Sequence, residues 1–214
     1  MELLSVRAMN FQDAILAMRN PTKSWDMSDS YWTEFEDSEF ADSIVTPYYY
    51  ANGRVFQIGE KDHELAMKLV TNGASHRKFM RQIPVSMVIK GPGYWWRQMA
   101  TYKVGTTFNS TSQMHTGVKG FYTKDDFADI SEEKLNRLNR LVEAFKKTRK
   151  TRIKKQLYKE MPYSYLYRRT ITLNYEVLRN IYFDRKSHVL DEWTTFCKWI
   201  EKFPYSEFLT TEEG

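Results

Sequence analysis

Apolar and polar positions along this chain recur with two periods, and the pattern predicts a mixture of strands and helices. MELLSVRAMNF opens the chain as a predicted strand, and FQDAILAMRN has the apolar spacing of a helix that ends near Pro21. Two β-rich runs in IVTPYYYANGRVFQIG surround Asn52-Gly53, a pair that favours a tight hairpin turn. The mostly apolar PVSMVIKGP predicts a buried strand.

Helical spacing returns in four further segments. EKDHELAMKLVTNG predicts a helix that Gly73 closes, and Ser131 can cap a helical pattern that continues to Pro162 as one long helix or two. LNYEVLRNIYFDRK and LDEWTTFCKWIEKF predict two more helices. No repeat or linker divides the pattern, so we expect one domain over residues 1–214.

The composition indicates the cellular location and the partners that suit this chain. A chain of 214 residues with a lone Cys197 needs no disulfide to fold and suits a reducing, cytoplasmic location. No export signal and no apolar stretch of roughly 20 residues is present, so no membrane span is expected. The net charge of +5 suits anionic partners, among them nucleotides and nucleic acid.

Several common chemistries lack their motifs here. Neither of the two commonest glycine-rich phosphate loops is present, and Cys197 shares an apolar helix stripe with Trp193 and Ile200, which predicts a core thiol rather than a nucleophile. The histidines lack zinc-ligand spacing, so no metal site is expected. They are His63, His76, His115 and His188.

A basic run near the middle of the chain leaves two interpretations open: a surface for nucleic-acid phosphates, or a solvated helix face. The run comprises Lys146, Lys147, Arg149, Lys150, Arg152, Lys154 and Lys155.

The stretch GPGYWWRQMATYKVGTTFNSTSQMH, residues 91–115, leads from a strand into a predicted helix, YWWRQMATYK. Trp95 and Met99 at i and i+4 would face the core, while Arg97 or Lys103 would reach solvent or a pocket. The polar tail GTTFNSTSQMH is typical of solvated coil or of a wall that faces a ligand.

These residues resemble a family, the flavin-dependent thymidylate synthases. The resemblance rests on a series of motifs at fixed spacing. Lys90-Gly91-Pro92 is followed after four residues by Arg97-Gln98, and after two more residues by Thr101-Tyr102-Lys103 and then by FNSTSQMH. A family histidine near the flavin falls on His76, and the helix pattern Asn-x5-Asn-x4-Arg falls on Asn174, Asn180 and Arg185, after Pro162. The resemblance covers the chain from about residue 60 onward. The chain departs from the family pattern at several positions. Thr101-Tyr102-Lys103 replaces Arg-His-Arg, Ser110 replaces a glutamate, and Met114 and Tyr158 replace two arginines. Arg168, Arg169 or Lys103 could supply the positive charge that is lost.

The resemblance implies an α/β (α+β) fold with a central, mostly antiparallel sheet and flanking helices. It implies a homotetrameric enzyme that transfers a one-carbon unit from methylene-tetrahydrofolate to C5 of a pyrimidine deoxynucleotide, with flavin adenine dinucleotide (FAD) and NADPH. Methylation of dUMP to dTMP and hydroxymethylation both remain open, and so do a catalytically altered flavin or nucleotide binder and a basic nucleic-acid-binding module. No residue is assigned as a nucleophile.

The implied cofactor-binding residues are His76, Thr101, Tyr102, Lys103, Asn109, Asn174 and Asn180. The implied substrate-binding residues are Arg97, Gln98, Ser110, Ser112 and Arg185.

Overall fold

A computed structural model of the chain describes residues 1–34, 50–51 and 54–213. The strands are β1 (Glu2–Ala8), β2 (Tyr31–Glu34), β3 (Tyr50–Ala51), β4 (Arg54–Gln57), β5 (Pro84–Pro92), β6 (Thr107–Ser110) and β7 (Leu166–Asn174). The helices are α1 (Phe11–Met18), α2 (Glu60–Thr71), α3 (Gly93–Met99), α4 (Gln113–Thr116), α5 (Glu132–Thr148), α6 (Thr151–Glu160), α7 (Tyr175–Arg185), α8 (Asp191–Ile200) and α9 (Glu207–Thr210).

The strands form an antiparallel central sheet in the order β1, β5, β7, β6. Two backbone bonds show the opposed directions. The Met9 amide, just past β1, donates to the Pro84 carbonyl at 3.0 Å, and the Tyr175 amide, just past β7, donates to the Ile83 carbonyl at 3.1 Å. With its flanking helices, this sheet confirms the predicted mixed fold.

A smaller antiparallel sheet has the order β2, β4, β3. Trp32 is opposite Phe56, and Tyr50 is opposite Val55. The two β-rich runs therefore pair as a hairpin would require. The turn predicted at Asn52-Gly53 lies outside the described residues.

The described part of the chain packs as two compact units. Unit 1 comprises Met1–Leu4, Val88–Thr101 and Phe108–Thr170, and unit 2 comprises Ser5–Met87, Tyr102–Thr107 and Ile171–Gly214. In unit 1, helices α5 and α6 bury Leu138, Val142 and Leu157 in a cluster with Tyr122 and Phe127. In unit 2, α7 and α8 bury Leu178, Ile181, Trp193 and Phe196.

The long predicted helical pattern divides into two helices. Ser131 caps α5 as expected, since its side chain accepts a hydrogen bond from the Lys134 amide at 3.3 Å. Arg149 then adopts the left-handed conformation, with φ of 55°, and interrupts the pattern before α6. A positive φ is incompatible with a continuing right-handed helix.

The prediction that YWWRQMATYK is one helix is wrong at its end, because α3 stops at Met99. The Thr101 hydroxyl donates to the Gln98 carbonyl at 2.7 Å, a local bond that competes with helix continuation. The core prediction for Trp95 and Met99 is confirmed, since both are fully buried.

Three strands, β2, β6 and β7, were not predicted. The polar tail 105–115 contains β6 and the start of the short helix α4. In β7, buried Ile171 and Leu173 alternate with exposed Thr170 and Thr172. That period of two is the sequence signal by which β7 could have been found.

Candidate functional site

Helix α7 supplies one wall of a cavity in unit 2. Asn174 caps the helix, because its side-chain oxygen accepts from the Val177 amide at 3.0 Å. Tyr175 anchors the first turn through a 2.8 Å bond from its hydroxyl to the Pro204 carbonyl. With Leu178 and Ile181 buried on one side, α7 turns Asn180 and Asp184, which are i and i+4, toward solvent.

The cavity has a volume of about 660 Å³. This lies within the range of roughly 300–1,000 Å³ that is usual for small-molecule sites. Its wall combines aromatic rings, arginines, carboxylates and an amide. The lining residues are Arg77, Tyr102, Arg179, Asn180, Phe183, Asp184, Glu212 and Glu213.

Tyr102 is fixed on this wall by its hydroxyl. The phenol donates to Asp184 Oδ2 at 3.1 Å and accepts from Arg185 Nε at 2.9 Å. Burial raises the pKa of Tyr102, although the hydrogen bond from Arg185 opposes the shift. Tyr102 is therefore a neutral, oriented phenol at neutral pH.

Arg185 lies between two aromatic rings. Its guanidinium carbon is 4.8 Å from the centre of the Trp193 ring and 5.6 Å from the centre of the Tyr102 ring. Such cation–π contacts and the bond to the Tyr102 hydroxyl restrain the side chain. Arg185 thus orients Tyr102, and direct contact with a nucleotide stays a prediction.

Two buried arginines, Arg77 and Arg179, also line the cavity. Arg77 is 5% exposed, and its Nε donates to both carboxylate oxygens of Glu176, at 2.9 and 3.2 Å. Its Nη1 donates to Glu213. Burial works against the charge of Arg77, but the bonds to Glu213 and Glu176 outweigh it and raise the pKa.

Arg179 is even more buried, at 2% exposure. Its Nη1 donates to the Phe208 carbonyl at 3.1 Å, and its guanidinium carbon lies 4.7 Å from the centre of the Phe183 ring. Burial lowers the pKa of Arg179, and the neighbouring charge of Arg77 lowers it further. Two cations thus share this wall of the cavity.

The structure places other predicted flavin-side residues of unit 2 differently. Asn174 contacts the loop before β6: a Cβ on Gly105, which has φ of 71°, would lie 3.1 Å from Asn174 Nδ2. Lys103 in the same loop is exposed. His76 lines a separate, smaller cavity of about 290 Å³, together with Ser75 and Lys78. Tyr102 and Asn180 share the larger cavity, and His76 does not.

In unit 1, the predicted substrate residues Arg97 and Gln98 lie on α3. Arg97 is exposed, with its guanidinium carbon 4.8 Å from the centre of the Tyr163 ring, and the Gln98 carbonyl accepts from Thr101. The remaining predicted residues of this unit are exposed on the turn after α3, on β6 and on the loop before α4. They are Thr101, Asn109, Ser110 and Ser112.

Arg169, a candidate replacement for the missing arginines, is half-buried in unit 1. Its guanidinium carbon lies 5.0 Å from the centre of the Trp96 ring and 5.2 Å from that of Tyr167. Its buried Nε has no hydrogen-bond partner among the described residues. Burial lowers the pKa of Arg169.

Six cavity residues escaped the sequence interpretation: Arg77, Arg179, Phe183, Asp184, Glu212 and Glu213. Arg179 and Phe183 are i and i+4 on α7, each directly before a residue of the Asn180 and Asp184 pair. Helical spacing from Asn180 could have indicated Phe183 and Asp184. The role of Arg77 depends on a long-range pair with Glu176, and no local pattern predicts such a pair.

Cys197 behaves as the sequence predicts. The thiol is 4% exposed on α8, and burial raises its pKa to about 11. A thiol with that pKa is almost wholly protonated at neutral pH, so it is a poor nucleophile.

Within the ranges that the structure describes, no helix is long and apolar enough to cross a membrane. No group of three or more His, Cys, Asp or Glu residues among them could hold a metal ion.

The fold is that of the flavin-dependent thymidylate synthase ThyX. A crystal structure of Thymidylate Synthase X from Helicobacter pylori with FAD and dUMP matches with a TM-score of 0.69 and 15% sequence identity, over 98% of each chain. A second structure of ThyX from Helicobacter pylori, complexed with FAD and dUMP, matches with a TM-score of 0.65 and 14% identity, over 99% of this chain and 100% of that one. No protein-family model and no curated protein matches the sequence.

Proposed function

We propose that this protein is a flavin-dependent enzyme that transfers a one-carbon unit to C5 of a pyrimidine deoxynucleotide. The donor is methylene-tetrahydrofolate, and FAD supplies the redox chemistry when bound. For a methyl product, the C5 hydrogen leaves as a proton, a hydride from NADPH reduces the transferred carbon, and tetrahydrofolate is released. A hydroxymethyl product would need water and no hydride.

One observation carries this proposal: Tyr102 and Asn180, two residues that the resemblance puts beside the flavin, lie on one cavity of about 660 Å³. The full-length match to structures with FAD and dUMP supports the same ligands. The first line of support adds sequence spacing to the match of the fold.

The cavity residues fit a flavin nucleotide chemically. The rings of Tyr102 and Phe183 give the wall aromatic surface for a flat heterocycle, and the Asn180 amide can donate to or accept from its polar edge. Arg77 and Arg179 bring positive charge for phosphates. Tyr102 would thereby substitute for the family histidine as an oriented hydrogen-bonding group.

We further propose that the site is completed by other copies of the chain in a homotetramer. His76 lies on a different cavity from Tyr102 and Asn180, so a shared flavin site would have to take the His76 side from a second copy. Light scattering of flavin-loaded protein should give four times the chain mass. A monomer at micromolar concentration would contradict this assembly.

A second candidate function is flavin or nucleotide binding without thymidylate synthesis. The observation that favours it is the environment of Arg185, whose Nε donates to the Tyr102 hydroxyl and whose guanidinium lies over the Trp193 ring, so that both of these contacts are with the protein. Met114 and Tyr158, which replace two family arginines, also favour binding without thymidylate synthesis. Mass analysis of the nucleotide after incubation with methylene-tetrahydrofolate and NADPH separates the two functions: a gain of one carbon supports the first.

Flavin titration tests the cofactor directly. Purified protein should bind FAD with quenching of flavin fluorescence, and Tyr102→Phe should weaken binding by about three- to tenfold, the equivalent of one hydrogen bond. Tyr31→Phe is a matched control, because Tyr31 is an exposed tyrosine of β2 outside the cavity. Protein that shows no spectral change with FAD would refute the proposed function.

A further inference from the structure

The larger cavity has more buried positive charge than buried negative charge. The side chains of Arg77 and Glu176 are 6% and 8% exposed, and Arg179 is 2% exposed. Glu176 offsets one of the two guanidinium charges. Buried charges are normally paired, and the second negative charge that acts on both arginines is that of Glu213.

The partner that Arg77 has on the cavity side is a carboxylate at the protein surface. Glu213 comes from the segment 211–213, after α9, and its side chain is 53% exposed. Water and dissolved anions reach this carboxylate, so another anion can compete with it for Arg77.

The other carboxylates of the cavity have partners of their own. Asp184 accepts from the Tyr102 hydroxyl at 3.1 Å, and Glu212 pairs with Lys186 at 2.8 Å. Arg179 donates, within the described residues, to a neutral carbonyl of Phe208. A guanidinium has five N–H donors, so Arg179 has the capacity to bind an incoming oxyanion.

We propose that Arg77 and Arg179 form a subsite for a phosphate or diphosphate group, and that the Glu213 carboxylate competes with this group for Arg77. Glu213 acts as an internal stand-in for the ligand's anion. The identity of the ligand, a flavin or pyrimidine nucleotide, rests on the proposed function, but the anion subsite does not. Neither arginine belongs to the residues that the family resemblance indicates.

Calorimetric titration with inorganic pyrophosphate tests the subsite alone. Glu213→Gln should bind pyrophosphate about two- to fivefold more tightly than the natural protein, which matches the loss of an exposed competing ion pair. Arg179→Gln should weaken binding by about tenfold or more, as for a hydrogen bond to a charged group.

Glu207→Gln provides the matched control. It removes the same charge from α9, but Glu207 pairs with His63 at 2.7 Å and does not line the cavity. If it strengthens binding as much as Glu213→Gln does, the effect is one of overall charge and the inference is wrong. Should Arg179→Gln fail to fold, Arg179→Lys keeps the charge and loses the planar fork, and is expected to weaken binding severalfold.

Separate titrations with dUMP and with FAD distinguish this inference from the proposed function. Tighter pyrophosphate binding in Glu213→Gln, without any flavin binding, would support the subsite and refute the flavin enzyme. Flavin binding with unchanged pyrophosphate affinity in both Glu213→Gln and Arg179→Gln would overturn the subsite alone.

Discussion

Two buried arginines in unit 2 have very different surroundings. Arg19 donates from Nε to Asp62 at 2.7 Å, and Asp62 also accepts from the Ser28 and Ser30 hydroxyls, each at 2.6 Å. Both charges are buried, with Asp62 at 0% exposure. Arg77 instead divides its donors between buried Glu176 and exposed Glu213, beside a second cation.

The difference separates a structural ion pair from one suited to binding. Around Asp62 each charge is balanced and the carboxylate is surrounded by donors, so the cluster has no need of a hydrogen bond or a charge from an added ligand. Around Arg77 and Arg179 one of the two carboxylate partners, Glu213, is at the surface, and both arginines line a cavity. Burial alone therefore does not separate these two kinds of arginine, whereas an exposed carboxylate partner beside a cavity does.

The largest expected effect is a loss of stability when the balanced pair of Arg19 and Asp62 is broken. Asp62→Asn should lower the free energy of unfolding by about 3–5 kcal/mol, because it leaves Arg19 as a buried charge without its carboxylate. Urea denaturation at neutral pH measures the change. Glu64→Gln, an exposed carboxylate on the same helix, should stay within about 0.5 kcal/mol of the natural protein.

The loss in Asp62→Asn should be the same with and without pyrophosphate. A loss below 1 kcal/mol would show that the Asp62 cluster contributes no more than surface pairs do, and the contrast between the two clusters would disappear.

A smaller effect on stability is expected from a change in the cluster of Arg77 and Arg179. Arg179→Met removes a cation whose pKa burial already lowers, and keeps much of the apolar contact with Phe183. The gain from removing a desolvated charge should nearly offset the lost bond to the Phe208 carbonyl, so stability should change by about 1 kcal/mol or less.

The same urea experiment checks this prediction. A loss in Arg179→Met as large as that in Asp62→Asn would mean that Arg179 is a structural residue and that the cavity wall is not prepared for an anion.

Local patterns in the sequence predicted much of the fold. The bounds of β5 at 84–92, the cap at Ser131 and the buried stripe of Cys197, Trp193 and Ile200 all follow from short-range spacing and side-chain chemistry. The turn at Arg149 was left open, because an arginine in the left-handed conformation has no sequence signature.

The candidate site was less predictable for a physical reason. Tyr102 and Asn180 came from motif spacing, and the structure brings them to one cavity. Arg77 gains its role from Glu176, which is 99 residues away along the chain. Charge balance in a buried cluster depends on such distant partners, so it can be evaluated only once the fold is known.

The smallest effect concerns Glu213, whose pKa the hydrogen bond from Arg77 holds below the ordinary value of 4.5. A carboxyl group with a lowered pKa in the folded state stabilises the protein above its unfolded pKa, and this contribution is lost as the pH falls through the folded value. Glu213→Gln should therefore lower the melting temperature slightly at pH 7. The difference should shrink below pH 4.5 and vanish once Glu213 is protonated, because protonated glutamate and glutamine are nearly isosteric.

Scanning calorimetry between pH 3 and pH 7 measures this difference in melting temperature, with Glu64→Gln as the control that should show no such trend. A difference that stays constant across this range would show that Arg77 does not hold Glu213 as a carboxylate, and the internal competitor for the anion subsite would have to be sought in another side chain.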